Sequence, residues 1–152
     1  MKKIRKRILI ALGILLCLVN IYKCFISGHS MPIFKDTSIS EYRTVELGNT
    51  KQSILIRGEN KSNPVLLYLH GGPGDPETSF ITPYQKEWEE YFVIVNWDQR
   101  GSGRSYNAGI DEETLTTEQV CLDAIELTAY LKKEFQVDKI YLVGHSYGTY
   151  VG

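Results

Sequence analysis

Cysteine and histidine are both scarce in this chain of 152 residues, which has three of each. The cysteines are Cys17, Cys24 and Cys121. Three cysteines, two of them within one apolar run, give no disulfide framework. The histidines are His29, His70 and His145. They form no cluster with the spacing of metal ligands, so we expect neither a metal site nor a cofactor.

Acidic residues are missing from the N-terminus. None occurs before Asp36, whereas six basic residues lie within residues 1–23, which leaves 11 basic and 18 acidic residues in the rest of the chain, a net charge of −7. A nucleic-acid-binding domain needs a basic face, so we expect no nucleic-acid partner. The glycine-rich stretches also lack the Lys-Ser/Thr ending of a phosphate loop. Tyr106 stands where a dinucleotide loop beginning at Gly101 would have its last glycine.

A long apolar run follows the basic N-terminus. It is unbroken over residues 8–19 and continues with interruptions to Ile26. As a helix, residues 8–26 would extend about 28 Å, close to the roughly 30 Å hydrocarbon core of a bilayer. We therefore expect residues 1–27 to be a single-pass membrane helix, with its basic end in the cytoplasm and the rest of the chain outside it. A signal peptide cleaved near Gly28-His29-Ser30 and a buried helix are the alternatives.

Residues 28–40 have the composition of a linker, and residues 41–152 alternate strand and helix patterns. The strand patterns are Glu41–Leu47, Gln52–Arg57, Val65–Leu69, Tyr91–Trp97 and Ile140–Val143. Helical patterns cover Thr82–Glu90 and the segment that begins at a capping box of Thr116 and Gln119. The first two strands predict a hairpin. The order β-α-β-α-β that follows predicts an α/β domain with a mostly parallel sheet flanked by helices.

The strongest chemical signal is the sequence Gly-His-Ser-Tyr-Gly at 144–148, directly after the last predicted strand. A strand followed by Gly-x-Ser-x-Gly is the sequence form of a nucleophile elbow, a sharp turn that exposes a serine hydroxyl. Gly144 and Gly148 leave room for two backbones to approach because they have no Cβ. We interpret Ser146 as a nucleophile, which would need a base to take its proton.

A second motif, His-Gly-Gly-Pro-Gly at 70–74, follows the third predicted strand. Acyl transfer places negative charge on the carbonyl oxygen, and backbone amides can stabilise it. Pro73 has no N–H, so we assign the two donors of an oxyanion hole to the amides of Gly72 and Tyr147. Gly71, Gly74 and His70 would support this loop. The alternative interpretation is a plain turn after a strand.

A third motif, Trp-Asp-Gln-Arg-Gly-Ser-Gly-Arg-Ser at 97–105, follows the fourth predicted strand. We expect Asp98 to accept hydrogen bonds within this loop, with Arg100 as one donor. His145 would pack beside the elbow, since adjacent side chains point apart. These residues are predicted to support the site rather than to react.

Together the three motifs resemble those of the α/β-hydrolase superfamily, and the first two in chain order are similar to those of the proline iminopeptidase group of serine peptidases. The resemblance covers about 41–152 and implies the N-terminal part of an α/β-hydrolase fold. It implies a serine hydrolase in which Ser146 forms an acyl-enzyme, while a histidine and an aspartate later in the chain serve as base and orienting acid. Because that acid follows the serine in this fold, Asp98 is not assigned to the triad.

The resemblance further implies a small-molecule or peptide substrate, with an aminopeptidase favoured over a carboxylic-ester hydrolase. Ser146 argues against the epoxide hydrolases and dehalogenases of this fold, which use a carboxylate nucleophile. Such domains commonly need roughly 200–250 residues, and no base or acid is found after Ser146. We therefore expect this chain to be an incomplete, inactive fragment. A noncatalytic, membrane-anchored protein with a hydrolase-like domain is the second hypothesis.

Overall fold

The computed structural model describes the backbone of residues 2–26 and 32–152. Within 2–26 it describes the side chains of 5–7 and 9–19 only. The chain forms two compact units, Met1–Met31 and Pro32–Gly152. The predicted cleavage site at Gly28-His29-Ser30 and the first part of the predicted linker lie outside the described residues.

The described part of the first unit forms the helix α1 (Lys2–Ile26), and the apolar side chains described along it are exposed. No helix in the described part of the chain combines the length and the hydrophobicity that crossing a bilayer requires. The predicted membrane helix is therefore wrong. The single-pass membrane location with the rest of the chain outside the cytoplasm, which depended on it, is wrong as well, and membrane anchoring through this helix is not supported.

The second unit is built on a five-stranded sheet with the order β1-β2-β4-β3-β5. The strands are β1 (Ile39–Leu47), β2 (Thr50–Gly58), β3 (Val65–Leu69), β4 (Val93–Asp98) and β5 (Tyr141–Gly144). All five predicted strands are confirmed, with ends that move by up to two residues. The predicted hairpin is β1 and β2, which pair antiparallel with Leu47 opposite Thr50.

The sheet is mixed, which corrects the prediction of a mostly parallel one. β2 pairs antiparallel with both β1 and β4, whereas β3 pairs parallel with β4 and with β5. The reason is that the hairpin packs its second strand against β4, so half of the strand pairings are antiparallel. The parallel half, β4-β3-β5, carries the three sequence motifs at its carboxyl ends, where ligands of such sheets bind.

The main helix of this unit is α3 (Thr117–Glu134), as the capping box predicts. The Thr116 hydroxyl accepts a hydrogen bond from the Gln119 amide at 3.2 Å and so caps the helix. A short helix, α4 (Gly148–Val151), follows β5.

The helix predicted over Thr82–Glu90 is wrong in detail. The chain forms the short helix α2 (Thr78–Ile81) and then two 3₁₀ turns, Thr82–Gln85 and Trp88–Glu90. Pro83 lies at the start of the first turn, and it has no N–H with which to continue the hydrogen bonding of an α-helix. One amphipathic helix is thereby divided into shorter pieces.

Apolar side chains cover both faces of β3 and β4, as expected for buried strands. On one face the sheet packs against α3, and the buried members of this core include Leu67, Val95, Trp97, Leu127 and Leu131. On the other face a smaller cluster of Leu66, Tyr68 and Ile94 packs under Ile81 and Phe92. Because both faces of β3 and β4 are packed, the ends of these two strands are held in place, whereas Tyr141 and Leu142 of β5 are exposed.

Candidate active site

Ser146 occupies the turn between β5 and α4. Its φ is +50°, in the left-handed region that residues other than glycine rarely adopt. Two backbone hydrogen bonds hold the turn: the His145 amide donates to the Leu69 carbonyl at 3.0 Å, and the Gly148 amide donates to the His145 carbonyl at 2.8 Å. The serine is exposed to solvent. A strained conformation at an exposed hydroxyl-bearing residue is a feature that clusters at functional sites.

The two glycines of the motif are required by close backbone contacts. A Cβ built on Gly144 would lie 2.6 Å from the Gly148 carbonyl oxygen. A Cβ built on Gly148 would lie 1.9 Å from the Leu69 carbonyl oxygen. No side chain fits at either distance, so the tight turn around Ser146 depends on both glycines.

The glycine loop at 70–74 lies beside Ser146. In the parallel register Leu69 of β3 is level with Gly144 of β5, so the two strands end together. A Cβ built on Gly71 would lie 3.4 Å from the Cβ of Ser146. The sheet thus brings together two motifs that are about 70 residues apart in sequence.

The amides of Gly72 and Tyr147, which we assign as oxyanion donors, differ from the amide of Gly71 in their hydrogen bonding. The Gly71 amide donates to the Glu77 carboxylate at 3.2 Å. The amides of Gly72 and Tyr147 donate to no other atom of residues 32–152. Gly72 has a φ of +121°, a conformation that glycine adopts readily.

His70 is buried and joins the glycine loop to the loop after β4. The Gln99 amide donates to its Nε2 at 3.1 Å, and the Gln99 side-chain amide donates to the His70 carbonyl at 3.0 Å. Because Nε2 accepts, Nδ1 carries the proton and donates to the Gly71 carbonyl at 2.6 Å. Both ring nitrogens are therefore engaged within the protein.

Asp98 is buried at the end of β4 and organises the loop that follows. Its carboxylate accepts hydrogen bonds from the Thr78 hydroxyl and, at 2.9 Å, from the Arg104 amide. A Cβ on Gly103 would lie 2.5 Å from the same carboxylate. Arg100 is not a donor to Asp98, which corrects the expected pairing within the loop.

Arg100 instead forms a buried ion pair with Asp123 of α3. Its Nε and Nη2 each donate to a different carboxylate oxygen at 2.8 Å, and Nη2 also donates to the Gly48 carbonyl at 2.9 Å. The Gln52 side-chain amide donates to Asp123 at 2.7 Å and accepts from the Trp97 indole at 2.9 Å. This network ties the hairpin, the loop after β4 and α3 together behind the site.

A second polar cluster surrounds Glu77, between the glycine loop and α2. Its carboxylate accepts from the Tyr68 hydroxyl at 2.8 Å and from the Gly71 amide, and it lies 2.8 Å from Nδ1 of His145. Burial alone would raise the pKa of Glu77, but hydrogen bonds from Tyr68, His145 and the Gly71 amide hold it below its ordinary value. Burial and the hydrogen bond to Glu77 raise the pKa of Tyr68 well above its usual range.

Sequence reasoning missed Asp123, Gln52 and Glu77. Asp123 had a signal, because it lies on the same face of α3 as the buried Val120 and Leu127, and a charge on a core face needs a partner. Glu77 and Gln52 had no such signal in the sequence, since each forms hydrogen bonds with residues that are distant along the chain.

A cleft of about 260 Å³ opens between the glycine loop and the start of α3. Its lining includes Pro73, Gly74, Gln99, Leu115, Val120 and Tyr147. No group of three or more His, Cys, Asp or Glu side chains that could hold a metal ion occurs in the described part of the chain.

The family model described as the alpha/beta hydrolase fold matches residues 64–152. The chain is 46% identical over 112 residues to the probable aminopeptidase YbaC of Bacillus subtilis (strain 168), a match that covers 74% of this chain and 35% of that protein. It is 31% identical over 101 residues to a proline iminopeptidase of Lactobacillus delbrueckii subsp. lactis, covering 66% of this chain and 33% of the relative. The chain thus spans about a third of the length of these relatives.

Solved structures of two hydrolase-related proteins also superpose on this chain. A proline iminopeptidase-related protein from Thermus thermophilus superposes with a TM-score of 0.61 at 28% identity, over 74% of this chain and 38% of that chain. An epoxide hydrolase from Vigna radiata gives a TM-score of 0.59 at 29% identity, over 74% of this chain and 34% of that chain.

Proposed function

We propose, since the chain belongs to the alpha/beta hydrolase fold family, that it is the part of a serine hydrolase that carries the nucleophile. Ser146 would attack the carbonyl carbon of the substrate and form an acyl-enzyme, which water would then hydrolyse. The substrate class we favour is a peptide or amide with a free amino terminus, since relatives named as an aminopeptidase and a proline iminopeptidase support it.

The observation that carries the proposal is the backbone of Ser146 in its setting. A left-handed, exposed serine follows β5, which pairs parallel with β3, and the glycine loop after β3 lies against it. A plain turn would favour glycine or asparagine at this position, because these residues adopt the left-handed conformation more easily than serine does.

The negative charge of the tetrahedral intermediate would be stabilised by the amides of Gly72 and Tyr147. These N–H groups have no acceptor among residues 32–152, so they are free to bind a substrate oxygen. A single oxyanion donor contributes roughly 2.7–4 kcal/mol to transition-state stabilisation. Gly71 is a poor candidate for this role because its amide already donates to Glu77.

A base for Ser146 is not evident among the described residues. Both nitrogens of His70 are engaged with backbone groups, and within residues 32–152 no hydrogen bond joins the ring of His145 to the hydroxyl of Ser146. Asp98 is occupied by Thr78 and Arg104. We therefore expect residues 1–152 by themselves to hydrolyse no substrate, and we expect the base and its orienting acid to come from sequence equivalent to the remaining two thirds of the relatives.

The experiment is a chimera that supplies those missing groups. Residues 32–152 are joined to the part of YbaC that follows its matched segment, and hydrolysis of aminoacyl 4-nitroanilides is compared with hydrolysis of 4-nitrophenyl acetate. We expect the anilides to be cleaved, with activity lost in Ser146→Ala and kept in Ser79→Ala, which alters an exposed serine of α2.

Other outcomes of this experiment decide between the hypotheses. Cleavage of the acetate ester alone would favour a carboxylic-ester hydrolase. A chimera that folds but cleaves neither substrate, or one that keeps its activity in Ser146→Ala, would contradict the proposal and favour a noncatalytic domain.

A further inference from the structure

Glu77 contacts three segments that are distant in sequence, two of which carry the motifs of the candidate site. It follows the glycine loop in sequence and precedes α2. Its carboxylate meets Tyr68 on β3, Gly71 in the glycine loop and His145 in the elbow. We propose that Glu77 is a positioning residue that fastens the glycine loop to the elbow and so fixes the Gly72 amide relative to Ser146.

The contacts are divided between the two oxygens of the carboxylate. Oε1 accepts from the Gly71 amide at 3.2 Å and lies 2.8 Å from Nδ1 of His145. Oε2 accepts from the Tyr68 hydroxyl at 2.8 Å. A carboxylate only accepts hydrogen bonds, so His145 must donate from Nδ1, as either the neutral tautomer or the imidazolium. One oxygen therefore bridges the loop and the elbow, while the other is held by the sheet.

The same arrangement sets which amide of the loop remains available. Because the Gly71 N–H is directed at Glu77, the chain turns at Gly72, and the N–H of Gly72 is left without an acceptor among residues 32–152. The contact is close: a Cβ on Gly71 would lie 3.0 Å from Oε1 of Glu77 and 3.3 Å from Nδ1 of His145. The loop cannot slide along the elbow without breaking the hydrogen bond to Glu77.

Charge supports this role. The Glu77 side chain retains 17% of its exposure whereas that of His145 retains 61%, so the carboxylate is the more enclosed partner of the pair. The pKa of Glu77 is held below its ordinary value despite partial burial, because the Tyr68, His145 and Gly71 donors favour the anion. Tyr68 and His145 are the titratable groups that contact Glu77 from the sheet and from the elbow. The anion is the form that binds all three partners.

The inference rests on the proposed function for the meaning of the Gly72 amide, but its test does not depend on activity. In the full chain, the amide resonances of Gly71, Gly72 and Tyr147 and the carboxyl carbon of Glu77 are followed by NMR as the pH is lowered. We expect the amides to shift in one acid step together with the Glu77 carboxyl, at a pH below the ordinary glutamate value. Glu77→Gln should remove the step, and the matched variant Glu87→Gln, at an exposed glutamate of the same segment, should keep it.

Hydrogen exchange gives a second readout. Loss of a charge-assisted hydrogen bond should increase exchange of the Gly71 amide on the order of tenfold in Glu77→Gln, with the Leu67 amide of β3 unchanged. The inference would be overturned if the pH-dependent change in the Gly72 amide shift persisted in Glu77→Gln. It would also be overturned if hydrogen exchange at the Leu67 amide rose equally, since Glu77 would then contribute only to general stability.

A milder variant covers the case in which Glu77→Gln does not fold. Tyr68→Phe removes one donor to the carboxylate and should move the joint step of Glu77 and the loop amides to higher pH. A carboxyl step that moves without the amides would contradict the coupling. Failure of the proposed function is a separate result, because a chimera that stays active in Ser146→Ala would leave this titration unchanged.

Discussion

The guanidinium of Arg100 and the carboxylate of Asp123 form a buried ion pair with two contacts of 2.8 Å, and their side chains are 1% and 0% exposed. The pair joins the loop after β4 to α3. Its polar atoms are all satisfied, because no described buried side-chain nitrogen or oxygen lacks a hydrogen-bond partner. Removing one partner of such a pair is costly, since the other charge stays buried without compensation.

Asp123→Asn should therefore destabilise the protein strongly. The substitution keeps the shape of the side chain but leaves the Arg100 charge unpaired, and we expect the free energy of unfolding to fall by about 3 kcal/mol. Urea denaturation followed by circular dichroism measures this change. Asp138→Asn, at an exposed position after α3, is the control and should change the stability little. A loss of less than about 1 kcal/mol in Asp123→Asn would show that the pair is not important for stability.

Gly148→Ala should disrupt the elbow. The new Cβ would lie 1.9 Å from the Leu69 carbonyl oxygen, so α4 must move away from β3, and overpacking of this kind costs roughly 1–3 kcal/mol or more. The thermal midpoint and the chemical shift of the Ser146 amide report the change. Gly109→Ala serves as the matched control, since its Cβ would meet only the Asn107 side chain at 3.6 Å. An unchanged Ser146 resonance in Gly148→Ala would refute the prediction.

Thr116→Ala should weaken the start of α3. The Thr116 hydroxyl accepts a hydrogen bond from the Gln119 amide, and loss of an N-cap of this kind typically costs about 1 kcal/mol. Chemical denaturation of this variant and of Thr117→Ala, which alters the first residue of the helix, makes the comparison. Equal effects at both positions would argue against a capping role.

Tyr68 should make the stability fall at alkaline pH. Its pKa is raised in the folded state by burial and by the hydrogen bond to Glu77, so folding favours the neutral phenol. The stabilisation is complete below the pKa of the unfolded state, about 10, and is lost as the pH rises from there through the folded pKa. The stability difference between wild type and Tyr68→Phe should therefore shrink as the pH rises above about 10, whereas Tyr84→Phe, at an exposed tyrosine, should show no such trend. A constant difference for Tyr68→Phe would contradict the assigned shift.

The strands and the elbow could be predicted because their signals are local. Short apolar runs such as Val65–Leu69 are typical of buried strands, and the glycine spacing around Ser146 reflects a close backbone approach that other residues cannot make. The N-cap at Thr116 is another local signal, and the structure confirms it, although the Gln119 side chain bonds Asp123 and does not complete the capping box. In each case the physical cause lies within a few residues of the pattern.

The remaining features depend on contacts between distant parts of the chain. Glu77 and His145 are 68 residues apart, and Arg100 and Asp123 are 23 apart, so no spacing rule reveals either pair. The sheet is mixed because β2 lies beside β4, a choice made by packing rather than by the pattern of either strand. The error over the N-terminal helix has a different cause. The prediction depended on the length of the apolar pattern, whereas a helix that crosses a bilayer must be both long and sufficiently hydrophobic.

Backbone contacts between β3 and the elbow have a consequence for how the site responds to deformation. The Leu69 carbonyl accepts the His145 amide and also lies against Gly148, and the same strand continues directly into the glycine loop. The hydroxyl of Ser146 and the amide of Gly72 are thus both held by β3 and the backbone contacts at its end. Twisting or bending the sheet carries both together, so their separation should vary less than the distance of either from any group held on another part of the molecule.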